Sequence, residues 1–226
     1  AGRALEDFRR LLGAAEPVLP HARDLVRTLR RVHGVRSVVQ NINSDPGNVI
    51  LGRRSIALTT ESRLIDRIGF LKLQTHAGAF TQANVPVARK LYERACVLAE
   101  LDGETNVVDL YCGVGGLTFN LATQARLVLG IEESPVAVVD AKANVRFNGF
   151  HNVSFAGGDA ATQLAATPLP RVDVVTMNPP RKGVELAARE AIVARAPARL
   201  VYISCAPATL ARDLDWFAER GYATTA

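Results

Sequence analysis

The chain has 226 residues, enough for one sizeable core and a small second unit at about 150 residues per domain. With 48% hydrophobic and 22% charged residues it is neither disordered nor fibrous. No apolar run approaches the roughly 18 residues that span a bilayer, and no signal-type stretch opens the chain. A cytoplasmic, membrane-free protein is expected, and the net charge of +5 suits a polyanionic partner without requiring one.

Apolar residues spaced by three and four predict two short amphipathic helices, over residues 5–15 and 22–32. Arg23, Arg27, Arg30, Arg31 and Arg36 gather in the second helix and just beyond it, as the solvated face of a helix or as an RNA-facing patch. From Ser37 the pattern turns strand-like, through Asn48-Val-Ile-Leu, Ser55-Ile-Ala-Leu and Phe70-Leu-Lys-Leu, with turn signals at Asp45-Pro46-Gly47 and Gly52. Residues 1–77 therefore read as a small α+β subdomain.

Residues 78–226 are more regular. A helix over 85–101 precedes strand-like runs at Val107-Val-Asp-Leu-Tyr, Arg126-Leu-Val-Leu-Gly-Ile, Val153-Ser-Phe, Val172-Asp-Val-Val-Thr-Met and Leu200-Val-Tyr-Ile-Ser, alternating with helical runs. Such apolar strands separated by helices predict a doubly wound, mostly parallel α/β sheet covered on both faces. A last helix over 208–220 would ordinarily lead into another strand, so the final strands of the sheet are expected to lie beyond the chain.

Asp109-Leu-Tyr-Cys-Gly-Val-Gly-Gly-Leu-Thr118 turns the first of these strands into a helix, and its glycines allow close backbone approach to a ligand. A dinucleotide fingerprint would place its third glycine at 118, where Thr118 stands, which argues against nicotinamide binding. Glu132 ends the second strand, where a carboxylate can accept from a ribose diol, and Asp159 follows the third, suited to an adenine amino group. A glycine loop with acids at successive strand ends resembles the layout of class I methyltransferases, whose S-adenosylmethionine needs no phosphate cradle.

Cys96, Cys112 and Cys205 have no spacing that makes a disulfide framework or a metal site. Cys96 reads as core and Cys112 as part of the glycine turn. Cys205 lies in Tyr202-Ile-Ser-Cys-Ala-Pro-Ala-Thr-Leu-Ala-Arg-Asp213, and Asn178-Pro-Pro-Arg-Lys-Gly183 follows the preceding strand. With Gly-Ala-Phe-Thr-Gln-Ala-Asn84 upstream, these segments resemble the RNA uracil-5-methyltransferase family in motif order across essentially the whole chain.

The resemblance implies S-adenosylmethionine as cofactor, an RNA substrate, closer to ribosomal than to transfer RNA, and Cys205 as nucleophile. It implies Gln82, Tyr111, Gly113, Gly116, Glu132, Asp159 and Asn178 as cofactor-binding residues, and Phe80 and Arg181 at the target uridine. A thiolate suits this chemistry because its attack on carbon 6 of uracil makes carbon 5 nucleophilic. The family's general base is a glutamate beyond the helix that follows the nucleophile, so it is expected outside these residues; the RNA-binding barrel of many relatives and the four-cysteine iron–sulfur site of some are not among them. Little turnover by this stretch alone, and a monomer, are the corresponding expectations. The alternatives are an Asn-Pro-Pro-type amino-group methyltransferase, disfavoured because Arg181 stands where an aromatic should stack, and a catalytically incomplete cofactor- and RNA-binding module.

Overall fold

A computed structural model describes residues 10–14, 19–43, 54–60, 63–76 and 84–225. Five parallel strands, β6 (Asn106–Leu110), β7 (Leu127–Glu132), β8 (Val153–Gly157), β9 (Val174–Met177) and β10 (Arg199–Tyr202), form a sheet of order β10-β9-β6-β7-β8. The order reverses beside β6: the chain moves outward through β7 and β8, then returns to place β9 on the other side. That switch opens a crevice at the carboxyl ends of β6 and β9, where doubly wound sheets bind ligands. The expected α/β architecture is the observed one.

Alternating side chains carry β6 into two cores. Val107 faces one with α2 (Val85–Ala99), α3 (Gly116–Ala122) and α4 (Pro135–Asn148), while Val108 and Leu110 face the other with α5 (Ala160–Ala165), α6 (Leu186–Ala194) and α7 (Pro207–Ala218). Phe119, Leu121, Leu164 and Ile192 are fully buried in these layers, each contributing about 1.5–3 kcal/mol by removal from water. Local signals set the helix ends: Asn84 accepts from Val87 N at the start of α2, Ser134 from Ala137 N at the start of α4, and Gly149 ends α4 at φ 72°.

The N-terminal region pairs β1 (Arg10–Ala14) in parallel with β2 (Val38–Ile42), with α1 (Ala22–Leu29) as the crossover, and β3 (Arg54–Ala57) antiparallel to β2. Residues 10–14 therefore form a strand where apolar spacing predicts a helix: pairing with residues 38–42, distant in sequence, outweighs the local period. The strand expected at 48–51, with its turn signals, lies outside the described residues. An unexpected strand, β4 (Arg63–Ile68), forms a hairpin with β5 (Leu71–His76). That hairpin packs on the layer of α2 and α3, where Ile68, Leu71 and Leu73 join the core of Tyr92, Ala95 and Phe119. No helix among the described residues is long and apolar enough to cross a membrane, and no cluster of three or more His, Cys, Asp or Glu among them could hold a metal.

Candidate active site

The turn after β6 is held in a left-handed conformation at Tyr111 (φ 60°), Gly113 (φ 57°) and Gly115 (φ 94°). The non-glycine at 111 persists because the turn is tied on every side. Cys112 N donates to Ile131 O at 3.2 Å, Gly113 N to Glu132 Oε2 at 2.9 Å and Gly115 N to Cys112 O at 3.0 Å. Gly130, opposite on β7, admits the ring of Phe155: a Cβ there would sit 2.5 Å from it and 2.9 Å from Cys112 Sγ.

Beneath this turn Asp109 is buried, its Oδ2 accepting from Thr118 Oγ1 at 2.6 Å and its Oδ1 from Thr176 Oγ1 at 2.7 Å. Burial pushes its carboxyl up to about 6, against the lowering effect of the two hydroxyls. Thr118, which breaks the dinucleotide fingerprint, is thus a brace for Asp109. The same burial, with Asp109 nearby, takes the Tyr92 phenol up to about 12 and the Cys96 thiol to about 11, and holds Cys112 well above its ordinary value. Cys96 and Cys112 are set as thiols, in keeping with packing roles.

A cleft between the turn and the β4–β5 hairpin is lined by Ile68, Leu73, Tyr92, Asp109, Tyr111, Cys112, Gly113, Val114, Gly116, Leu117 and Asn178. It brings together Tyr111, Gly113, Gly116 and Asn178 of the expected cofactor residues. Gly116 has no room for a side chain, because its Cβ would lie 2.8 Å from the Tyr92 hydroxyl. Glu132 stands at the rim, its Oε1 accepting from Ser134 N at 2.8 Å and its Oε2 from Gly113 N; a carboxylate retains further lone pairs for a ligand. Asp159 is exposed at the end of β8 and caps α5, accepting from Thr162 N and Oγ1 at 2.9 Å each; those bonds hold its carboxyl below the ordinary value. Burial raises the Tyr111 phenol to about 12, reinforced by Glu185, Asp159, Asp213 and Glu133. Gln82 and Phe80 lie outside the described residues.

Cys205 is exposed between β10 and α7, and Ser204 Oγ accepts from Ala206 N to shape the turn there. Arg181 is exposed in the loop after β9, and its carbonyl accepts from Thr209 Oγ1 of α7 at 3.1 Å. Two further ties hold this loop to α7: Arg212 donates to Lys182 O at 2.9 Å, and Asp213 Oδ2 accepts from Val184 N at 2.8 Å. The buried Asp213 carboxylate also accepts from Tyr202 Oη at 2.7 Å and from the Arg212 guanidinium, with Arg189 at 3.6 Å. Burial opposes its charge, but these donors keep its pKa below the ordinary carboxylate value; the Tyr202 phenol beside it is raised by burial and by the bond to Asp213. Gly183, at φ 80°, leaves no space for a Cβ, which would lie 2.5 Å from Asp213 Oδ2. Asp213 escaped sequence reasoning as a functional residue because nothing in an Arg-Asp pair on a helix announces a buried hub.

The family model described as tRNA (uracil-5-)-methyltransferase matches residues 57–221. A protein of Geobacter sulfurreducens described as an uncharacterized RNA methyltransferase is 47% identical over 192 residues, covering 84% of this chain and 39% of its own. One of Halalkalibacterium halodurans with the same description is 42% identical, covering 91% of this chain and 46% of its own. The chain thus spans less than half the length of these curated relatives. Among solved structures, a Pyrococcus abyssi tRNA (uracil-54, C5)-methyltransferase in complex with S-adenosyl-L-homocysteine has a TM-score of 0.69 at 23% identity, over 92% of this chain and 49% of that one, a likeness of fold. By the extent of the family match, and by its identity to these relatives, the chain belongs to the tRNA (uracil-5-)-methyltransferase family.

Proposed function

We propose that the protein to which this chain belongs transfers a methyl group from S-adenosylmethionine to carbon 5 of a uridine in RNA, with Cys205 as covalent nucleophile. The position of Cys205 carries the reading. It is exposed at the carboxyl edge of the sheet, just before a helix tied through Thr209, Arg212 and Asp213 to Arg181, Lys182 and Val184 of the loop after β9. Family membership supports RNA as the substrate class, and the likeness of the Cys112–Gly116 and Asn178–Gly183 segments to ribosomal-RNA members favours ribosomal RNA.

The residues present fit this cofactor: Glu132 and Asp159 supply acceptors for an adenosine, and Asn178, Gly113, Val114 and Gly116 line the cleft. When bound, the cofactor supplies a methyl group activated on a sulfonium sulfur. The Cys205 thiolate adds to carbon 6, forming an S–C bond as the carbon 5–carbon 6 π pair moves onto carbon 5 and the carbonyl at carbon 4. Carbon 5 accepts the methyl, a base removes the carbon 5 proton, and the returning pair restores the double bond as the thiolate leaves. Exposed Arg23, Arg30, Arg31 and Arg36, with Asp24 as the one acid among described residues 19–43, suit a phosphate backbone.

RNA carrying 5-fluorouridine tests the mechanism, because fluorine in place of the carbon 5 hydrogen blocks elimination. With cofactor, the full-length protein should form a denaturation-resistant adduct that Cys205→Ala abolishes. An adduct formed equally by Cys205→Ala would remove Cys205 from the mechanism. Mass spectrometry of RNA from cells lacking the protein identifies the uridine.

A further inference from the structure

Among the described residues, no strand lies on the outer edge of β5 in the β4–β5 hairpin. One face of α4 takes that place. Asn148 Oδ1 accepts from Lys72 N at 3.0 Å and its Nδ2 donates to Lys72 O at 2.9 Å. Asn144 repeats the pattern on Gln74, accepting from N at 2.8 Å and donating to O at 3.1 Å. Asp140 Oδ2 accepts from His76 N at 2.6 Å, and His76 Nδ1 lies 2.5 Å from Oδ1. The match is geometric: four residues of helix advance about 6 Å, and two residues of strand advance about 6.6 Å. Asparagine carboxamides thus bond the edge of β5 as the backbone of a neighbour strand would.

Asn144 does something that Asn148 does not. Its Nδ2 also donates to Val114 O, at 3.3 Å, within the glycine turn. Val114 lines the cleft from the turn, and Leu73, adjacent to Gln74, lines it from the hairpin. A single fully buried carboxamide therefore holds both walls of the cleft. We infer that Asn144 is a positioning residue for cofactor binding, a clamp that sets the separation of the hairpin from the Gly113–Gly116 turn. This rests on the cofactor assignment proposed above.

The near-isosteric Asn144→Asp keeps the acceptor for Gln74 N but turns a carboxylate oxygen toward two carbonyls. Asn148→Asp makes the same change one helical turn away, where no contact reaches the turn. Calorimetric titration of the full-length variants with S-adenosylhomocysteine should show Asn144→Asp weakened by at least about fivefold, and at least about three times more than Asn148→Asp, as loss of a buried donor predicts. RNA affinity should be unchanged, and amide exchange at Gly113, Val114 and Gly116 should accelerate in Asn144→Asp alone. A smaller loss, or an equal loss in Asn148→Asp, overturns the clamp and leaves the row as simple hairpin anchorage. If Asn144→Asp does not fold, Asn144→Ser, which retains a small donor, is judged by the same two measurements. A parent protein that fails to bind S-adenosylhomocysteine refutes the cofactor assignment, while the exchange comparison still decides the clamp.

Discussion

Replacing Asp109 with asparagine isolates the electrostatics of the buried carboxylate under the glycine turn. The side chain is fully buried between two threonine hydroxyls, and its pKa of about 6 stands some two units above the ordinary 3.8. A folded-state pKa above the unfolded one means that the folded protein binds the extra proton between pH 4 and 6. The stabilising contribution is therefore fully present below about pH 4 and is lost as pH rises through 6. At about 1.4 kcal/mol per unit, the loss is about 3 kcal/mol. Asparagine does not ionise and can still accept from one threonine hydroxyl and donate to the other. The assay is urea unfolding of both proteins at half-unit intervals from pH 4 to 8, taking the difference in stability so that all other titrations cancel. The Asp109→Asn protein should gain about 3 kcal/mol on the parent between pH 4 and 7 and then hold level. A difference that stays flat across this range would refute the reasoning, and one that grows in the opposite sense would mean that the carboxylate is stabilised by its two hydroxyls beyond the cost of burial.

Gly130→Ala should destabilise by about 1–3 kcal/mol through overpacking against Phe155, and Phe155→Leu in the same protein should recover part of it; additive effects in a double-mutant cycle would contradict the contact. Asp213→Ala leaves Tyr202 Oη, Val184 N and two arginines without their acceptor and should cost about 3–5 kcal/mol in urea unfolding, with earlier amide exchange at residues 181–184; a loss under about 1 kcal/mol would show that the loop is held elsewhere. Arg23→Ala with Arg27→Ala and Arg30→Ala, all on one face of α1, should weaken RNA binding and lower the slope of log affinity against log salt by about two, whereas an unchanged slope would mean that this face is merely solvated.

The five-stranded sheet was legible because β6 and β9 are uninterrupted apolar runs, which only a doubly covered parallel sheet accommodates. The strands at residues 10–14 and 63–68 are hidden in the sequence for different reasons. Residues 10–14 owe their form to a partner strand 28 residues along the chain, whereas residues 63–68 pair with the adjacent residues 71–76 but have apolar Ile65 outward and Asp66 inward, which breaks the alternation. At the site, the glycine turn, Asn178 and Cys205 were readable as motifs. Asp213, Asp140 and Asn144 were not, because polar residues at helical spacing look like a wet surface until the elements that bury them are in place. Asp109 presents the complementary difficulty: its sequence position gives no hint of the two threonines, nine and 67 residues away, that bond it.

The carboxamide row on α4 also bears on the order in which this part of the molecule is made. A lone two-stranded ribbon is marginal in water, and the outer edge of β5 is completed by side chains 64 to 76 residues downstream. On the ribosome, then, the outer edge of β5 stays open until α4 has emerged, even with the apolar face of the hairpin on α2. The edge of a hairpin that precedes the glycine turn in the chain is thus closed only by residues that follow that turn.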